Sequence, residues 1–514
     1  MSGSKISQLP AAASLTGSEL AVLVQNGIDV ETPLNNILGF SQNGTGAVQR
    51  TIKSKLQGYM VTPEDFGAVG DGSTDDTTAF QAALNSLTWG QSLYCRAKYS
   101  VGNVTVPAGV VLTGDWNTTW QKTSDNNYYT IDSQIKLQSG ATITLSQSSA
   151  VTNLMIIASG LSVPCTTDAQ CTTLLAQFNG IAITATGVYV TLRNLMILGF
   201  TRAALITATG TQGGVDCADV AFDCTNGISY IGGGTNGRWH RCMAWPFLTS
   251  GVSGVSNTNL TRGGTAYYFQ DAGGAGDDWT TLVDCTAYGF AYSFAVIDGS
   301  NIKFIGCQAD GKSTGVYAFY LTTAGGGEPG VREVTMLGCT VISHPNPVYV
   351  ADTGTGTIAR IIGCFFAGGS GVGIEVGAGT LMAIGNHFQG IGTNFKVDNG
   401  ATALLSGNVI TAGGTFLNLV SGGTAVAENN IGYNPVGPSS IASPPTSGGT
   451  YTAGSSPETI YMSASSGISA VSQNGGAILP AALGNNIMGT FQLGANETLV
   501  PTYGGTLTMK KMVH

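Results

Sequence analysis

Five carboxylates between residues 277 and 328 are the side chains whose type and spacing could support chemistry: Asp277, Asp278, Asp298, Asp310 and Glu328. Acid–base cleavage of a glycosidic bond needs two carboxyl groups, one kept protonated by its surroundings and one ionised. Asp278 and Asp298 are the preferred pair. Glu328 and Asp310 are the next candidates, and Asp277 would assist.

Aromatic residues are concentrated in the same stretch and supply candidates for binding. Sugar rings stack on exposed aromatic faces, so a glycan groove would be expected here. The candidates are Trp239, Trp245, Tyr267, Tyr268, Trp279 and Tyr288. Core packing is the alternative role for each of them taken singly.

The elements that must hold these side chains follow from a repeated phrase. From residue 220 onward, apolar residues are followed by a glycine or charged residue and then by Cys or Asn. The phrase ends at Cys224, Cys242, Cys285, Cys307, Cys339, Cys364, Asn386, Asn408 and Asn430. The later spacings are 22 residues, which is enough for three short strands and their turns. The sequence therefore predicts an all-β fold, a parallel β-helix of about 22 residues per coil from about residue 95 to 434.

The Cys and Asn positions are expected to stack as a ladder inside this helix, because neighbouring coils lie about 4.8 Å apart. Small side chains that bond to the neighbouring coil's backbone suit an inward-facing turn, and cysteine serves there as a small apolar filler. Each coil offers one sulfur, whereas a metal site needs clustered Cys and His. The cysteines are therefore predicted to be unpaired core thiols, and neither a metal site nor a cofactor is predicted.

Counting from the ladder places the candidate acids. Asp278 lies seven residues before Cys285 and Asp298 lies nine before Cys307. Four other acids fall ten to twelve residues before their ladder positions: Glu328, Asp352, Glu375 and Asp398. Together with Asp278 and Asp298, they predict one acidic stripe. Acids on adjacent coils would lie about 5 Å apart, near the retaining spacing, and acids two coils apart about 10 Å apart, just beyond the inverting range.

Counting forward predicts an outward column and two loops. Trp245, Tyr288 and Asp310 each follow a ladder cysteine by three residues, so they should share one surface. The intervals 242–285 and 307–339 exceed 22 residues, and extra residues in a solenoid emerge as loops, often on the binding face. Both loops are therefore expected to flank the candidate acids.

Charge and hydropathy exclude several classes of partner. A net charge of −9 gives no basic surface for a nucleic acid and would repel an acidic polymer at long range. The N-terminus lacks the apolar run of a secretion signal, and no stretch approaches the length of a membrane span. We expect no nucleic acid partner and no membrane insertion.

A motif ahead of the helix resembles a known superfamily. The segment 61–84 reads VTPEDFGAVGDGSTDDTTAFQAAL, a strand, a glycine turn and a capped amphipathic helix over about 76–87. It resembles the N-terminal motif of the pectate-lyase-like superfamily, found in pectinolytic enzymes and phage tailspikes, and so implies a right-handed β-helix. The helix would cover the open end of the β-helix, and Asp71, Asp75 and Asp76 are expected to act in turns and caps.

Both ends of the chain carry further resemblances. Residues 1–58 are similar to the short module that attaches phage tail proteins to the virion. A Pro/Ser/Gly linker is predicted at 435–449, and the alternating pattern at 450–514 predicts a small β-sandwich. Similar C-terminal modules in tailspikes hold three chains together, and some bind sugar.

Together the resemblances imply a homotrimeric phage tailspike. It would be made in the host cytoplasm, carried on the virion by a tail or baseplate protein, and would hydrolyse a bacterial surface polysaccharide.

Two other activities stay open. A polysaccharide lyase would neutralise a uronic acid with a cation and remove the neighbouring proton with a base. Its candidate residues are Arg238, His240, Arg241, Arg262, Lys303 and Lys312. His240, however, precedes a ladder cysteine by two residues in an apolar column, which favours burial. The other alternative is a receptor-binding fibre without catalytic activity.

Overall fold

A computed structural model describes most of the chain. The described residues are 60–115, 132–187, 189–207, 214–232, 236–270, 279–311, 316–322, 331–351, 357–433, 439–454, 456–479 and 481–513, with short pieces between 20 and 51. The N-terminal pieces include an antiparallel hairpin of Leu20–Gln25 with Ile28–Pro33, and a second pair of Gly39–Phe40 with Arg50–Thr51. The other residues of the predicted attachment module lie outside the described residues.

The body is a right-handed parallel β-helix, as predicted, and its strands form three sheets that we name A, B and C. Sheet A contains Ser92–Cys95, Val111–Gly114, Arg238–His240, Thr281–Val283, Ile302–Ile305, Val334–Leu337, Ile358–Ile362, Thr380–Ile384, Thr402–Ser406 and Thr424–Glu428. Sheet B contains Asp71–Asp75, Lys98–Val101, Gln134–Leu137, Met243–Ala244, Thr286–Tyr288, Gln308–Asp310, Thr340–Ile342 and Phe365–Ala367. Sheet C contains Val104–Val106, Ile143–Leu145, Ile181–Thr186, Arg262–Gln270, Phe290–Ile297, Tyr317–Thr322, Asn346–Val350 and Val372–Val376.

Longer strands bend from one sheet into the next and join the three sheets. Ala150–Ala158 runs from sheet A into sheet B, and His387–Val397 and Val409–Leu419 run from sheet B into sheet C. Val190–Thr207 and Val215–Ile231 pass through all three sheets. Each coil therefore visits A, B and C in that order, and a corner separates each pair of sheets.

The core lies between the three sheets and is built of stacked columns. Alternate residues of each strand point inward, as in Arg238–Trp239–His240, where Trp239 is fully buried. Tyr267, Phe294 and Phe319 stack on consecutive coils of sheet C, with ring centroids 5.0 and 4.7 Å apart. Such columns bury apolar surface and tie each coil to its neighbours.

The predicted ladder is confirmed at the corner between sheets A and B. Each ladder side chain reaches back to the preceding coil: Cys307 Sγ lies 3.5 Å from the Leu282 carbonyl, and Asn386 Nδ2 donates to the Ile361 carbonyl at 2.8 Å. Asn386 Oδ1 also accepts the Cys364 backbone N–H at 2.9 Å. All ten cysteines are free and buried. The residue before each ladder position has a positive φ, which explains the glycine, Asn or Asp found at most of these turns.

The first ladder position was predicted wrongly. Ala221 pairs with Met243, so the residue level with Cys242 is Val220 and not Cys224. Cys224 lies four residues further along, with its sulfur toward the Ile197 carbonyl. A valine fills the ladder position here, because this part of the corner needs only a small apolar side chain.

A 3₁₀ turn (Pro63–Phe66) is followed along the chain by a short helix, α1 (Thr77–Asn85), which lies before the first coil. Its buried face packs on the core of the β-helix, with the Phe80 ring 5.5 Å from that of Tyr99. Asp76 accepts backbone N–H groups from Val69 and Gly70, and Asp75 accepts the N–H of Thr77. The predicted capping helix and the structural role of these acids are confirmed.

Two insertions cover part of the outer face of sheet B. They contain α2 (Asp168–Leu175) and α3 (Asn257–Leu260), and they form a second apolar cluster over Met155 and Met196. Asp223 and Arg262 form a buried ion pair of 2.7 Å beneath them. The extra residues between Cys242 and Cys285 thus fold partly onto sheet B.

The C-terminal residues form the predicted β-sandwich. One antiparallel sheet contains Ser439–Ser440, Glu458–Ala464, Gly489–Leu493 and Leu507–Val513, and the other contains Tyr451–Thr452, Ile468–Gln473, Gly476–Ala477 and Thr498–Tyr503. Apolar residues such as Ile460 and Leu499 fill the space between them. Because Ser439 pairs with Lys511, part of the expected linker belongs to the sandwich.

Candidate functional site: a groove along sheet A

Two adjoining cavities of about 640 and 370 Å³ lie on the outer face of sheet A. They share Asn236 and Arg238, so they form one groove, which we call the sheet A groove. The larger part is also lined by His240, Trp279, Thr281, Asn301 and Lys303, and the smaller part by Tyr189, Val190, Thr191, Gly214, Val215 and Asp216.

Strand alternation and register place the polar side chains of the groove. Because Trp239 points inward, Arg238 and His240 point outward from the same strand, about 7 Å apart along it. Arg238 pairs with Thr281 on the next coil, and Thr281 pairs with Lys303 on the coil after that. The backbones of Arg238 and Lys303 are therefore two coils, or about 10 Å, apart.

Two exposed aromatic residues lie at the corner between sheets C and A. Trp279 is 61% exposed and Tyr189 is 53% exposed. Both have a positive φ, near 66° and 62°, which turns the chain sharply just before its sheet A strand. The backbone N–H of Trp279 donates to the Ser300 carbonyl at 3.0 Å. Both rings therefore stand on turns fixed by the β-helix and offer stacking surfaces to a ligand.

Asn301 connects the Trp279 ring to a carboxylate. With its amide turned to satisfy both ends, Asn301 accepts from Trp279 Nε1 at 3.0 Å and donates to Glu333 Oε2 at 3.1 Å. Glu333 also lies 3.9 Å from Arg360. The indole is thus held by hydrogen bonds, which limits the loss of side-chain freedom on binding.

The groove is cationic although the chain is acidic. Asp216 forms an ion pair with Arg193. Among the described residues, no carboxylate lies within 4.0 Å of Arg238 or Lys303, and both side chains are exposed. An anionic ligand would meet these two positive charges, with the Asp216 carboxylate beside Arg238 already paired with Arg193.

The two predicted catalytic acids that the structure describes, Asp298 and Asp310, do not share one surface. Asp277, Asp278 and Glu328 lie outside the described residues. Asp298 follows a sheet C strand with φ of 56° and is fully buried, so it cannot contact a glycan in this conformation. Asp310 is on the outer face of sheet B. The Asp298–Asp310 combination is therefore excluded as a pair, because a three-sided coil directs the two side chains to different places.

Of the predicted acidic stripe, Asp352 lies outside the described residues, and Glu375 and Asp398 share one lysine. Glu375 lies in the row of Tyr349 and Lys396 on sheet C, whereas Asp398 follows the end of the next strand. Lys396 bridges the two acids, at 2.7 Å from Glu375 and 3.1 Å from Asp398. These acids form ion pairs, which gives them a structural role.

Two predicted sugar-binding residues are core residues. Trp239 and Tyr267 are fully buried, and the Tyr267 hydroxyl donates to the Thr286 carbonyl at 3.1 Å. Inward alternation explains both corrections. Tyr268 is half-buried on the outer face of sheet C, where burial, with the nearby Asp298 adding, raises the pKa of its phenol. Trp279 alone of the six predicted aromatic residues lines the groove.

The predicted column of Trp245, Tyr288 and Asp310 is confirmed, but it lies on sheet B. Tyr288 pairs with Asp310 on the next coil, and the Trp245 and Tyr288 rings are 4.4 Å apart. This surface adjoins the insertions over sheet B and faces away from the sheet A groove. The groove and the column therefore cannot contact the same sugar.

The residues named for a lyase are distributed differently. Arg238, His240 and Lys303 line the groove, which corrects the expected burial of His240. The apolar column that contains His240 faces outward and includes Leu337, which is 45% exposed. Arg241 pairs with Asp219, Arg262 is buried against Asp223, and Lys312 lies outside the described residues.

Sequence reasoning missed Tyr189 and Asn236. Both have a positive φ, as does Trp279, and they lie in connections that enter sheet A. A bulky residue at such a turn is uncommon and marks a constrained, exposed position. These two residues can be recognised in the sequence only when the position of the corner between sheets C and A is known.

Within the described ranges, no group of three or more His, Cys, Asp or Glu side chains is placed to bind a metal ion. No helix in that part of the chain is long and apolar enough to cross a membrane.

Comparisons with known proteins confirm the predicted resemblance. The family described as "Rhamnogalacturonase A/epimerase, pectate lyase-like" matches residues 61–195. "Depolymerase 1, capsule K30/K69-specific" of Klebsiella phage K5-2 is 36% identical over 98 residues, which are 18% of this chain and 12% of that protein. "Depolymerase, capsule K30/K69-specific" of Klebsiella phage K64-1 is 27% identical over 237 residues, 45% of this chain and 29% of that protein. The matches therefore span less than a third of either relative.

Solved structures with a similar fold include a tailspike and a glycoside hydrolase. Tailspike protein 3 of bacteriophage CBA120 has a TM-score of 0.44 at 14% identity, over 83% of this chain and 74% of that one. The catalytic unit of the GH87 α-1,3-glucanase of Streptomyces thermodiastaticus strain HF3-3 has a TM-score of 0.48 at 14% identity, over 73% and 69%. By its sequence matches and its fold, the chain is related to phage depolymerases and carries a pectate-lyase-like β-helix.

Proposed function

We propose that this chain is a phage tailspike depolymerase that binds a bacterial surface polysaccharide in the sheet A groove and cleaves it. The observation that carries the proposal is the groove itself, a long depression with exposed Tyr189 and Trp279 on a rigid scaffold. Aromatic faces stack on sugar rings, and sites built on sheet strands hold their geometry. The names of the two depolymerases support a capsular polysaccharide as the ligand.

Hydrolysis by paired carboxylates is the first mechanism. One carboxyl group would protonate the leaving oxygen, and the other would attack the sugar or activate a water molecule. Asp278 remains the preferred acid because it immediately precedes Trp279, which lines the groove. Asp277 and Glu328 remain candidate partners. Asp298 would take part only if the corner between sheets C and A rearranged on binding.

β-Elimination is the second mechanism, and the described side chains of the groove favour it. Arg238 or Lys303 would neutralise the carboxylate of a uronic acid, while the His240 imidazole would accept the neighbouring proton. The bond to the leaving oxygen then breaks as a double bond forms in the sugar. This mechanism needs a uronic acid, whereas hydrolysis does not.

The proposed assembly follows from the resemblances. Three chains would associate in parallel, with the C-terminal sandwich contributing to trimer formation. Residues 1–58 would bind a phage tail or baseplate protein, which would place the β-helix on the virion at the bacterial surface.

Incubation with a panel of purified capsular polysaccharides, including types K30 and K69, tests the function. Depolymerisation should give shorter fragments on size-exclusion chromatography. Fragments that absorb in the ultraviolet identify elimination, because only elimination leaves an unsaturated sugar. Fragments without this absorbance identify hydrolysis. Binding without any fragments would contradict the proposal and support a receptor-binding fibre.

Matched variants locate the chemistry. Asp278→Asn should lower the rate by two to four orders of magnitude if Asp278 is a general acid or base. His240→Gln should do the same if elimination is the reaction. Asp310→Asn is the control, because Asp310 faces away from the groove. Full activity in both groove variants would show that the reaction takes place elsewhere.

A further inference from the structure

The charge of the sheet A groove is opposite to that of the chain. Two other basic residues on the outer face of sheet A have acidic partners: Arg193 with Asp216, and Arg360 with Glu333. In the part of the chain that the structure describes, Arg238 and Lys303 have none, and both line the larger cavity. Two uncompensated cations are therefore placed where a ligand would bind.

The spacing of these cations follows from the coil. They occupy one outward column of sheet A, with Thr281 between them, so their backbones are about 10 Å apart. An extended pyranose residue is about as long as the distance between neighbouring coils, which is about 5 Å. A polysaccharide lying along the column would therefore present every second sugar to one of the two cations.

The ends of the groove add stacking. Tyr189 lies in the smaller cavity on one side of Arg238, and Trp279 lies beside Thr281. Stacking on these rings does not depend on the charge of the sugar, whereas contact with Arg238 and Lys303 does. Affinity for the polysaccharide thus has a part that tolerates neutral sugars and a part that requires anions.

We infer that the groove selects a polysaccharide with a carboxylate on every second sugar, and that Arg238 and Lys303 each bind one of these carboxylates. The inference rests on the proposed function for the polysaccharide nature of the ligand. The net charge of −9 does little to repel such a polymer, because physiological salt screens exposed charges that are more than about 8 Å apart. Close to the groove, the attraction of the two cations for a carboxylate is larger than the repulsion by the net charge.

Binding to native and chemically neutralised polysaccharide tests the inference. The probe is the polysaccharide that the panel identifies, either native or with its carboxyl groups reduced to alcohols. If the protein cleaves it, the fragments of a complete digest serve as the ligand, and if not, the intact polymer does. We expect the native form to bind at least tenfold more tightly at low salt, and this preference to shrink as salt is added.

Variants assign the preference to the two cations. Arg238→Gln and Lys303→Gln should each weaken binding of the native form about three- to tenfold and leave the reduced form unchanged. Lys136→Gln removes the same charge from sheet B and should change neither. Trp279→Ala should weaken both forms equally.

Equal binding of the native and reduced forms would overturn the inference, as would an effect of Lys136→Gln equal to that of the groove variants. The outcome is separate from that of the depolymerase assay. A preference for the native form without cleavage contradicts the proposed function alone. Cleavage without such a preference contradicts the inference alone.

Discussion

Replacing Asn408 by alanine should destabilise the β-helix strongly. This fully buried side chain makes four hydrogen bonds. Its Nδ2 donates to the Ala383 carbonyl at 3.0 Å and to Asn430 Oδ1 at 2.9 Å. Its Oδ1 accepts the Asn386 backbone N–H and Asn386 Nδ2, both at 3.0 Å. One residue therefore joins the coils on both sides of it.

The expected loss of stability depends on which of the former partners of Asn408 keep another hydrogen bond. Asn386 Nδ2 keeps the Ile361 carbonyl, and Asn430 Oδ1 keeps the Asn408 backbone N–H, so losing these bonds costs about 1 kcal/mol each. The Asn386 backbone N–H loses its acceptor and stays buried, which costs about 1–3 kcal/mol. With about 1 kcal/mol more for the bond to Ala383, Asn408→Ala should lower the free energy of unfolding by about 5 kcal/mol.

Asn408→Cys should recover about half of this loss. Elsewhere in the ladder Cys364 Sγ accepts the Cys339 backbone N–H at 3.4 Å, and Cys307 Sγ reaches the preceding coil's carbonyl. A cysteine at 408 can repeat both contacts. Asn418→Ala is the control, because Asn418 is exposed, and it should change stability by no more than about 0.5 kcal/mol.

Denaturant titration at fixed protein concentration measures these differences, and unfolding rates replace it if unfolding is irreversible. If Asn408→Ala is no more destabilising than Asn418→Ala, the ladder does not stabilise the helix. If cysteine is as costly as alanine at 408, the hydrogen-bond account of the Cys positions is wrong.

Three further predictions concern protonation, thiols and assembly. Burial lowers the pKa of His344 from 6.5 to about 4, so between these pH values the unfolded chain binds a proton that the folded chain does not. The free energy of unfolding should therefore fall by about 3 kcal/mol as the pH drops from 7 to 4. His344→Gln should remove this contribution to the pH dependence of stability, and an equal pH dependence in both proteins would refute the prediction. Native protein should resist thiol reagents while denatured protein exposes nearly all ten cysteines, and rapid native labelling at ladder positions would contradict the structure. Native mass measurement should give three chains, and a stable monomer at micromolar concentration would rule the trimer out.

The ladder and the cap were predictable because their signals are local. Each ladder position carries a turn residue followed by Cys or Asn, and the capping helix has its own start signals. The faces were harder to assign, because an offset from the ladder gives a position along the coil but not the corner at which a long connection bends. Asp298 and Asp310 were both candidate acids, and the structure places them on different parts of the coil.

The alternation of inward and outward side chains along a strand would have corrected the assignment of two further residues. Arg238–Trp239–His240 is a three-residue strand, and placing the large apolar tryptophan inside directs both polar neighbours outward. Taken one at a time, without this alternation, Trp239 and Tyr267 are indistinguishable from aromatic residues on the surface. The pairing of cations with acids required coordinates, because the partners come from neighbouring coils.

From Val220 onward, the corner between sheets A and B is the one place where the coil length does not vary. Ladder residues from Val220 onward stack at intervals of 22, 43, 22, 32, 25 and then 22 residues, yet each is followed directly by its sheet B strand. All length differences are absorbed at the other two corners, one of which carries Tyr189 and Trp279. Binding specificity can therefore change through the loops while the corner between sheets A and B stays constant. Related proteins can thus adapt to a changed host surface without altering the core.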